Sequence, residues 1–293
     1  MIHTIDLNFQ GLPQAIASFL IPTEDGPVMI ETGPHSTLPY LEEGVSKLGY
    51  DLSEIKHVLL SHIHLDHAGA AWYLASLGAK VFVHSMGYRH LRDPTRLMDS
   101  AKRIYGDKMD QLWGSMEAIP DEQLVEVVDD QPIEIGDTIF KPWYTPGHAI
   151  HHLAWQMGET LFTGDVAGVK IGKGPVMPPC PPPDINVETW IGSIDLIREM
   201  KLKRFYLTHF GIITDVDAHL DELEKRLIGW SQWIKPYWEN KVPAAEITDP
   251  FKQYVVEELF QSGLSETEAA IYEAANPSWM SVYGLMRYWD KQN

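Results

Sequence analysis

The sequence predicts an α/β fold with a helical module at its C-terminal end. Short apolar runs recur through the first two thirds of the chain, and several end on a histidine or an acid. Stretches with helical periodicity lie between these runs. Beyond Gly211 the strand pattern stops and helical patterns follow one another to the end.

Taken in order, Ile2 to Phe9, Ala15 to Ile21 and Val28 to Glu31 alternate with turns and are expected as short strands. A helix is expected from Leu38 to Leu48, stopped by Gly49. His57 to Leu60 is apolar enough for a buried strand, and Ala68 to Leu77 for a helix behind it. Lys80 to His84 is the next strand. About Ser85 to Val125 is expected to be a helical insert. In it Met98, Ala101, Ile104, Tyr105, Lys108, Met109, Leu112, Trp113 and Met116 share one face. That face suits packing on the edge of the fold, a lid or a dimer surface.

Thr138 to Phe140, Leu153 to Trp155, Leu161 to Phe162 and Phe205 to Thr208 are further strands. A helix from Ile185 to Met200 precedes the last of them. The run from Pro175 to Pro183 is stiff and extended, and is expected at a pocket rim. Residues 216–293 form the helical module, after a catalytic unit of residues 1–215. Asp215 to Tyr237 is its first helix. Thr248-Asp249-Pro250 caps a second, with Phe251, Tyr254, Val255, Leu259 and Phe260 inward. Ser265 to Glu268 is a capping box opening a third. Ser278 opens a fourth, striped by Trp279, Val282, Tyr283, Met286 and Trp289.

The chemistry concentrates in Ser61-His62-Ile63-His64-Leu65-Asp66-His67. It lies on a strand-to-helix loop, where open α/β sheets place their sites. His62 and His64 alternate with Ile63, so both rings can point one way, while Asp66 and His67 face a second point. His148 follows the turn Thr145-Pro146-Gly147. Asp165 and His209 each end a strand.

These residues, in this order, resemble the metallo-β-lactamase superfamily, in its glyoxalase II-like and lactonase-like branches. The resemblance covers about residues 1–215. It implies a four-layer αββα metallo-β-lactamase sandwich and two divalent metal ions, zinc first, with iron or manganese as alternatives. It implies that His62, His64 and His148 hold one ion and Asp66, His67 and His209 the other, with Asp165 bridging. A hydroxide between the ions would attack an ester, thioester or lactone carbonyl, because metal-bound water ionises near neutral pH. Asp66 and Asp165 are thus also the expected catalytic residues.

The family usually has Asp-x-Gly where this chain has Glu31-Thr32-Gly33, so Glu31 either orients a ligating histidine or is an ordinary strand-end charge. Lactonases of the family typically carry a tyrosine three residues after the bridging acid, and Gly168 stands there. The alternative activity is that of a mononuclear iron oxidoreductase resembling the persulfide dioxygenases. A metal-binding protein without turnover is the third class. His84, His151 and His152 also sit near strand ends. One of the last two is expected near the site and the other in solvent.

The formal net charge of −18 argues against nucleic acid as partner. A basic patch of Arg89, Arg92, Arg96, Lys102 and Arg103 suits either a solvated helix face or an anionic-substrate contact. No apolar stretch is long enough for a membrane span. Cys180 is the single cysteine, so no intrachain disulfide can form. The N-terminal residues lack a signal-peptide pattern. A cytoplasmic enzyme acting on a small molecule, with a homodimer as an option, is the expectation.

Overall fold

The computed structural model describes residues 1–292. Two six-stranded sheets face each other. The first holds β1 (His3–Asp6), β2 (Ala17–Thr23), β3 (Gly26–Ile30), β4 (His57–Leu59), β5 (Lys80–His84) and β6 (Leu124–Val127), side by side in chain order. β1, β2 and β3 are antiparallel neighbours, and β3 to β6 run parallel. The parallel connections carry helices. These are α1 (Leu38–Lys47), α2 (Leu65–Ala68), α3 (Ala71–Ser76), α4 (Ser85–Arg92), α5 (Thr95–Tyr105) and α6 (Met109–Leu112).

The second sheet holds β7 (Ile133–Ile135), β8 (Thr138–Tyr144), β9 (Leu153–Met157), β10 (Thr160–Phe162), β11 (Arg204–Leu207) and β12 (Gly211–Ile213). β10 and β11 are parallel, joined through α7 (Val187–Glu199), and the other pairs are antiparallel. Four helices follow: α8 (Val216–Glu239), α9 (Ala244–Gln261), α10 (Glu266–Ala275) and α11 (Ser278–Lys291).

The period-two alternation of the strands builds the layers. Phe19, Ile21, Val28, Ile30, Leu59 and Phe82 face inward and meet Leu153, Trp155, Phe162 and Tyr206 of the other sheet. The Phe19 ring lies tilted against Phe162 at 5.3 Å and edge-on to Tyr206 at 5.6 Å. Their neighbours Leu20, Met29, Val58, Leu60, Val81 and Val83 face outward and join the helices in a second core. The order is therefore helix, sheet, sheet, helix, as expected. The parallel strands are buried on both faces, which is why they read as continuous apolar runs.

The C-terminal helices belong to the same outer core. Trp230 meets the Phe251 ring edge-on at 5.0 Å, and Trp233 lies 5.6 Å from Tyr254. Tyr272 locks α10 to the proline-rich loop: its hydroxyl donates to Pro175 O (2.7 Å) and accepts from the Ile171 N–H (3.0 Å).

Several elements differ from the sequence expectation. The strand expected to Phe9 ends at Asp6, and Phe9–Gly11 is a 3-10 turn. The helix expected over Ala68 to Leu77 is two short helices that break at Gly69 and Ala70. The insert does not extend to Val125, because Leu124–Val127 is an edge strand of the first sheet. A strand also follows Gly211, as β12 pairs with β11. Thr248-Asp249-Pro250 caps nothing: α9 starts at Ala244 and carries Pro250 inside it. Pro250 falls in the second turn, where little of the helical hydrogen-bond ladder precedes it.

Candidate metal centre

The site lies where strand ends of the two sheets meet. Backbone bonds tie the sheets together there, from Ala17 N–H to Thr208 O (2.9 Å) and from Leu153 N–H to Ser61 O (2.7 Å). Glu31 follows β3, His62 and His64 follow β4, Asp165 follows β10 and His209 follows β11. His148 comes from the turn between β8 and β9. Gly147 allows that turn. Its φ is +129°, and a Cβ there would lie 2.3 Å from Trp190.

The seven expected ligand residues come together in two adjoining sets. One is His62, His64, His148 and Asp165; the other is Asp66, His67 and His209. Within each set the nearest ligand atoms lie within 4.8 Å of one another. His64 Nδ1 is 2.8 Å from His62 Nε2 and 3.1 Å from His148 Nε2. Asp165 stands between the sets. Its Oδ2 is 3.2 Å from His148 Nε2, and its Oδ1 is 3.3 Å from His67 Nε2 and 3.4 Å from His209 Nε2. Asp66 Oδ2 is 3.4 Å from His209 Nε2.

The outer hydrogen bonds fix which ring nitrogen faces inward. His148 Nδ1–H donates to Pro179 O (2.8 Å), and His209 Nδ1–H to Ala15 O (2.7 Å). Both rings therefore turn Nε2 to the centre, bare on His148 and favouring a proton on His209, where burial is outweighed by Asp165 and Asp66. Ser61 Oγ lies 2.9 Å from His62 Nδ1 and plays the same part there. Glu31, buried beneath the site, sits with Oε2 3.3 Å from His67 Nδ1 and accepts the Ser61 N–H at Oε1 (3.1 Å). The longer acid thus occupies the orienting position.

These donors fit divalent cations. His67 Nε2, His209 Nε2 and Asp165 Oδ1 are buried without a hydrogen-bond partner, a costly state unless another group completes it. Imidazoles and carboxylates suit zinc, iron and manganese. The electrostatics agree. Burial pushes His62 well down and His148 down to about 4, keeping both rings neutral. Burial also opposes charge on His67, but the carboxylates of Asp165, Asp66 and Glu31 outweigh it and raise His67 well above its ordinary value. Burial would raise Asp66, yet His67 and His209 hold it at about 2. The metal-free centre thus keeps a proton where a cation would sit.

Of the three further histidines, none joins a ligand set. His152 Nε2 accepts the Asp165 N–H (3.0 Å), so its Nδ1–H faces Thr145 Oγ1 (2.8 Å). His151 is buried as well, against the expectation that one of the pair is solvated. The two follow a turn that is covered on both sides, so alternation sends neither ring to solvent. His151 lines the cavity above the centre. His84 lies away from that cavity. It caps α4 by accepting the Met86 N–H (3.2 Å) and stacks on Tyr144 at 4.7 Å.

The cavity measures about 900 Å³. His64, Asp66, His148 and Asp165 lie at its base. Its walls come from the N-terminal segment (Phe9, Leu12, Ile16), the insert (Leu97, Ile104, Tyr105, Trp113), the proline-rich loop and the C-terminal helices (Ala274, Trp279, Met280). Tyr105 packs on Trp113 at 5.2 Å and lies 6.1 Å from Trp279. Burial pushes its phenol upward in pKa, and Asp66 adds to the shift. Tyr105 was legible as part of an amphipathic insert for which a lid over the site was one option; Ser61, inside the motif itself, carried no signal of its orienting role.

A family model described as the metallo-beta-lactamase superfamily matches residues 11–209. The chain belongs to that superfamily. Among its relatives, the metallo-beta-lactamase fold-containing protein ST1585 of Sulfurisphaera tokodaii is 26% identical over 228 residues, covering 76% of this chain and 84% of its own. Its crystal structure superposes with a TM-score of 0.62 over 75% of this chain and 84% of that one. The family protein TTHA1429 from Thermus thermophilus shares the fold over 99% of this chain and 93% of its own, with a TM-score of 0.70 at 18% identity. A thioesterase, pkgB of Emericella nidulans, is 26% identical over 211 residues, and the match covers 69% of this chain. This chain spans 48% of that protein's length.

Proposed function

We propose that this protein is a dinuclear metal-dependent hydrolase of small esters, thioesters or lactones. The observation that carries the reading is the pair of adjoining His/Asp sets at the base of a large apolar cavity. His62, His64 and His148 would hold one cation, Asp66, His67 and His209 the other, and Asp165 would touch both. Bound there, divalent cations acidify a water and polarise a carbonyl oxygen. The chain's own part is to aim the ligand nitrogens inward, to hold the carboxylates ionised and to exclude bulk water with aromatic walls. Water then adds across the acyl bond. A C–O bond forms, the C–S or C–O bond breaks, and the thiol or alcohol leaves with one proton of the water. The thioesterase named among the relatives supports this class of bond.

Gly168 argues for cleaving this bond without the lactonase tyrosine. With φ at +75°, a Cβ there would meet Leu223 and the Met177 carbonyl at 2.8 Å, so no side chain fits. Tyr105 brings a phenol to the cavity lining from α5. The test is metal analysis of protein reconstituted with zinc or with iron, paired with thioester hydrolysis and oxygen uptake. Two metals per chain and hydrolysis are expected, and His148→Ala should lose both. Saturation at one iron with oxygen uptake would replace this reading by the dioxygenase alternative.

A further inference from the structure

Two arginines of the insert face the substrate cavity rather than open solvent alone. Arg89 on α4 and Arg96 on α5 line it, with His90 between them in sequence. Among the described residues neither arginine has an acidic partner within salt-bridge distance. Arg92, beside them in sequence, does: its Nε is 3.2 Å from Asp121. Arg89 Nε donates instead to His90 Nε2 (3.3 Å). Burial, then Arg89 and Arg96, oppose a charge on His90 and outweigh Asp184, which favours one.

The acids of the cavity do not cancel this charge. Asp66 and Asp165 belong to the metal centre. Glu273 is held by Ser278, whose hydroxyl donates at 2.7 Å, and by Lys252 at 3.6 Å. Asp184 on the proline-rich rim is the remaining carboxylate of the lining; Asp93, outside the lining, is held below its ordinary value by its Thr95 hydrogen bonds and then by Arg96 and Arg92. In a chain of net charge −18, Arg89, Arg96 and Lys108 line an apolar cavity in which Asp184 is the one acid outside the metal centre and the Glu273 pairs, a local reversal of field. Such a reversal draws anions toward the opening. Guanidinium groups also match carboxylate and phosphate oxygens in geometry.

We infer that the substrate carries an anionic group, carboxylate or phosphate, that Arg89 and Arg96 hold at the cavity mouth while its acyl bond lies over the metal centre. This rests on the hydrolase reading and narrows it to acidic substrates. The apolar walls between mouth and base set the spacer: hydrocarbon or aromatic, not a second charge.

The experiment uses the metal-loaded full chain and a matched thioester series. The members are the S-ethyl thioesters of hexanoic acid, adipic acid and 6-phosphonooxyhexanoic acid, and the hexanoyl thioester of 2-mercaptoethyl phosphate. The first is neutral; the others place a carboxylate or a phosphate on either side of the bond. At least one anionic member should exceed the neutral one roughly tenfold in kcat/KM, chiefly through KM. Arg89→Gln with Arg96→Gln should abolish that gain and leave the neutral substrate within about twofold. The gain should also shrink as salt rises. Equal rates across the series, or a preference that survives the double variant, would overturn the inference while leaving the hydrolase standing. If no member turns over, the hydrolase reading fails. Calorimetry with adipamate and with hexanamide then still decides the anion site: adipamate should bind the wild type more tightly than hexanamide and the double variant equally. Equal binding to the wild type would remove the site.

Discussion

Asp165 is the residue on which both ligand sets turn, with its two oxygens directed to different sets. Burial alone would raise its pKa, but His67, His148 and His209 hold it well below the carboxylate range. Asp165→Asn keeps the shape and removes the charge. Activity should fall by more than about 100-fold, beyond what losing an outer partner costs, and metal content should drop below that of the wild type. Near-normal turnover in a folded variant would falsify the assignment. Its position was legible in the sequence, because an acid ending an apolar strand has few other reasons to be there. Glu31 was legible by place and not by reach. Only the fold shows that the longer side chain meets both His67 and the Ser61 backbone. His151 and His152 misled because alternation predicts opposite faces, and both faces of that turn are covered.

The elements show where periodicity suffices and where it fails. The buried parallel strands and the C-terminal capping box at Ser265 stand as expected. The edge strands β6 and β12 were invisible, because three or four residues on an edge carry too short a pattern to read. The insert and the C-terminal helices both reach the cavity, which their surplus of aromatic and methionine side chains pointed to. If their aromatics set selectivity, Trp113→Ala and Trp279→Ala should reorder preference within a panel of thioesters, lactones and aryl esters at constant metal content. An unchanged order in folded variants would make both side chains purely structural. A quieter contact links α8 to the centre. His219 donates its Nε2–H to Ala167 O (2.7 Å), two residues past Asp165. Burial lowers its pKa to about 4 from an ordinary 6.5. A depressed imidazole stabilises the fold above the unfolded value, and the contribution is lost as pH falls through about 4. That is worth up to about 3 kcal/mol. His219→Gln keeps a donor but does not titrate. Its urea-unfolding stability should therefore fall less steeply than the wild type's between pH 6.5 and 4; parallel slopes would show that His219 is already solvated.

At the scale of the whole molecule, the centre joins the two sheets, so its occupancy should govern global stability. Metal-free protein keeps unpartnered buried atoms at the junction of both layers, and anything that binds only the folded state adds stability in proportion to the logarithm of its concentration. Loading with zinc should therefore raise the melting temperature. Most of the ligating or neighbouring rings are pushed down and are ready to bind at neutral pH. His67 and His209 are raised, burial being outweighed by Asp165 and Asp66. The sign follows from those two rings. In the metal-free fold their protons stabilise at low pH, and that contribution is lost as pH rises through their folded values. Binding must expel the same protons, so affinity rises with pH. Calorimetric scans with and without zinc should show a gap in melting temperature that is wide at pH 8 and narrows toward pH 5.5. Titration in two buffers of different ionisation enthalpy should reveal proton release on loading. A gap independent of pH, with no proton release, would mean that His67 and His209 do not give up protons to a metal, and the second set would then have no cation to hold.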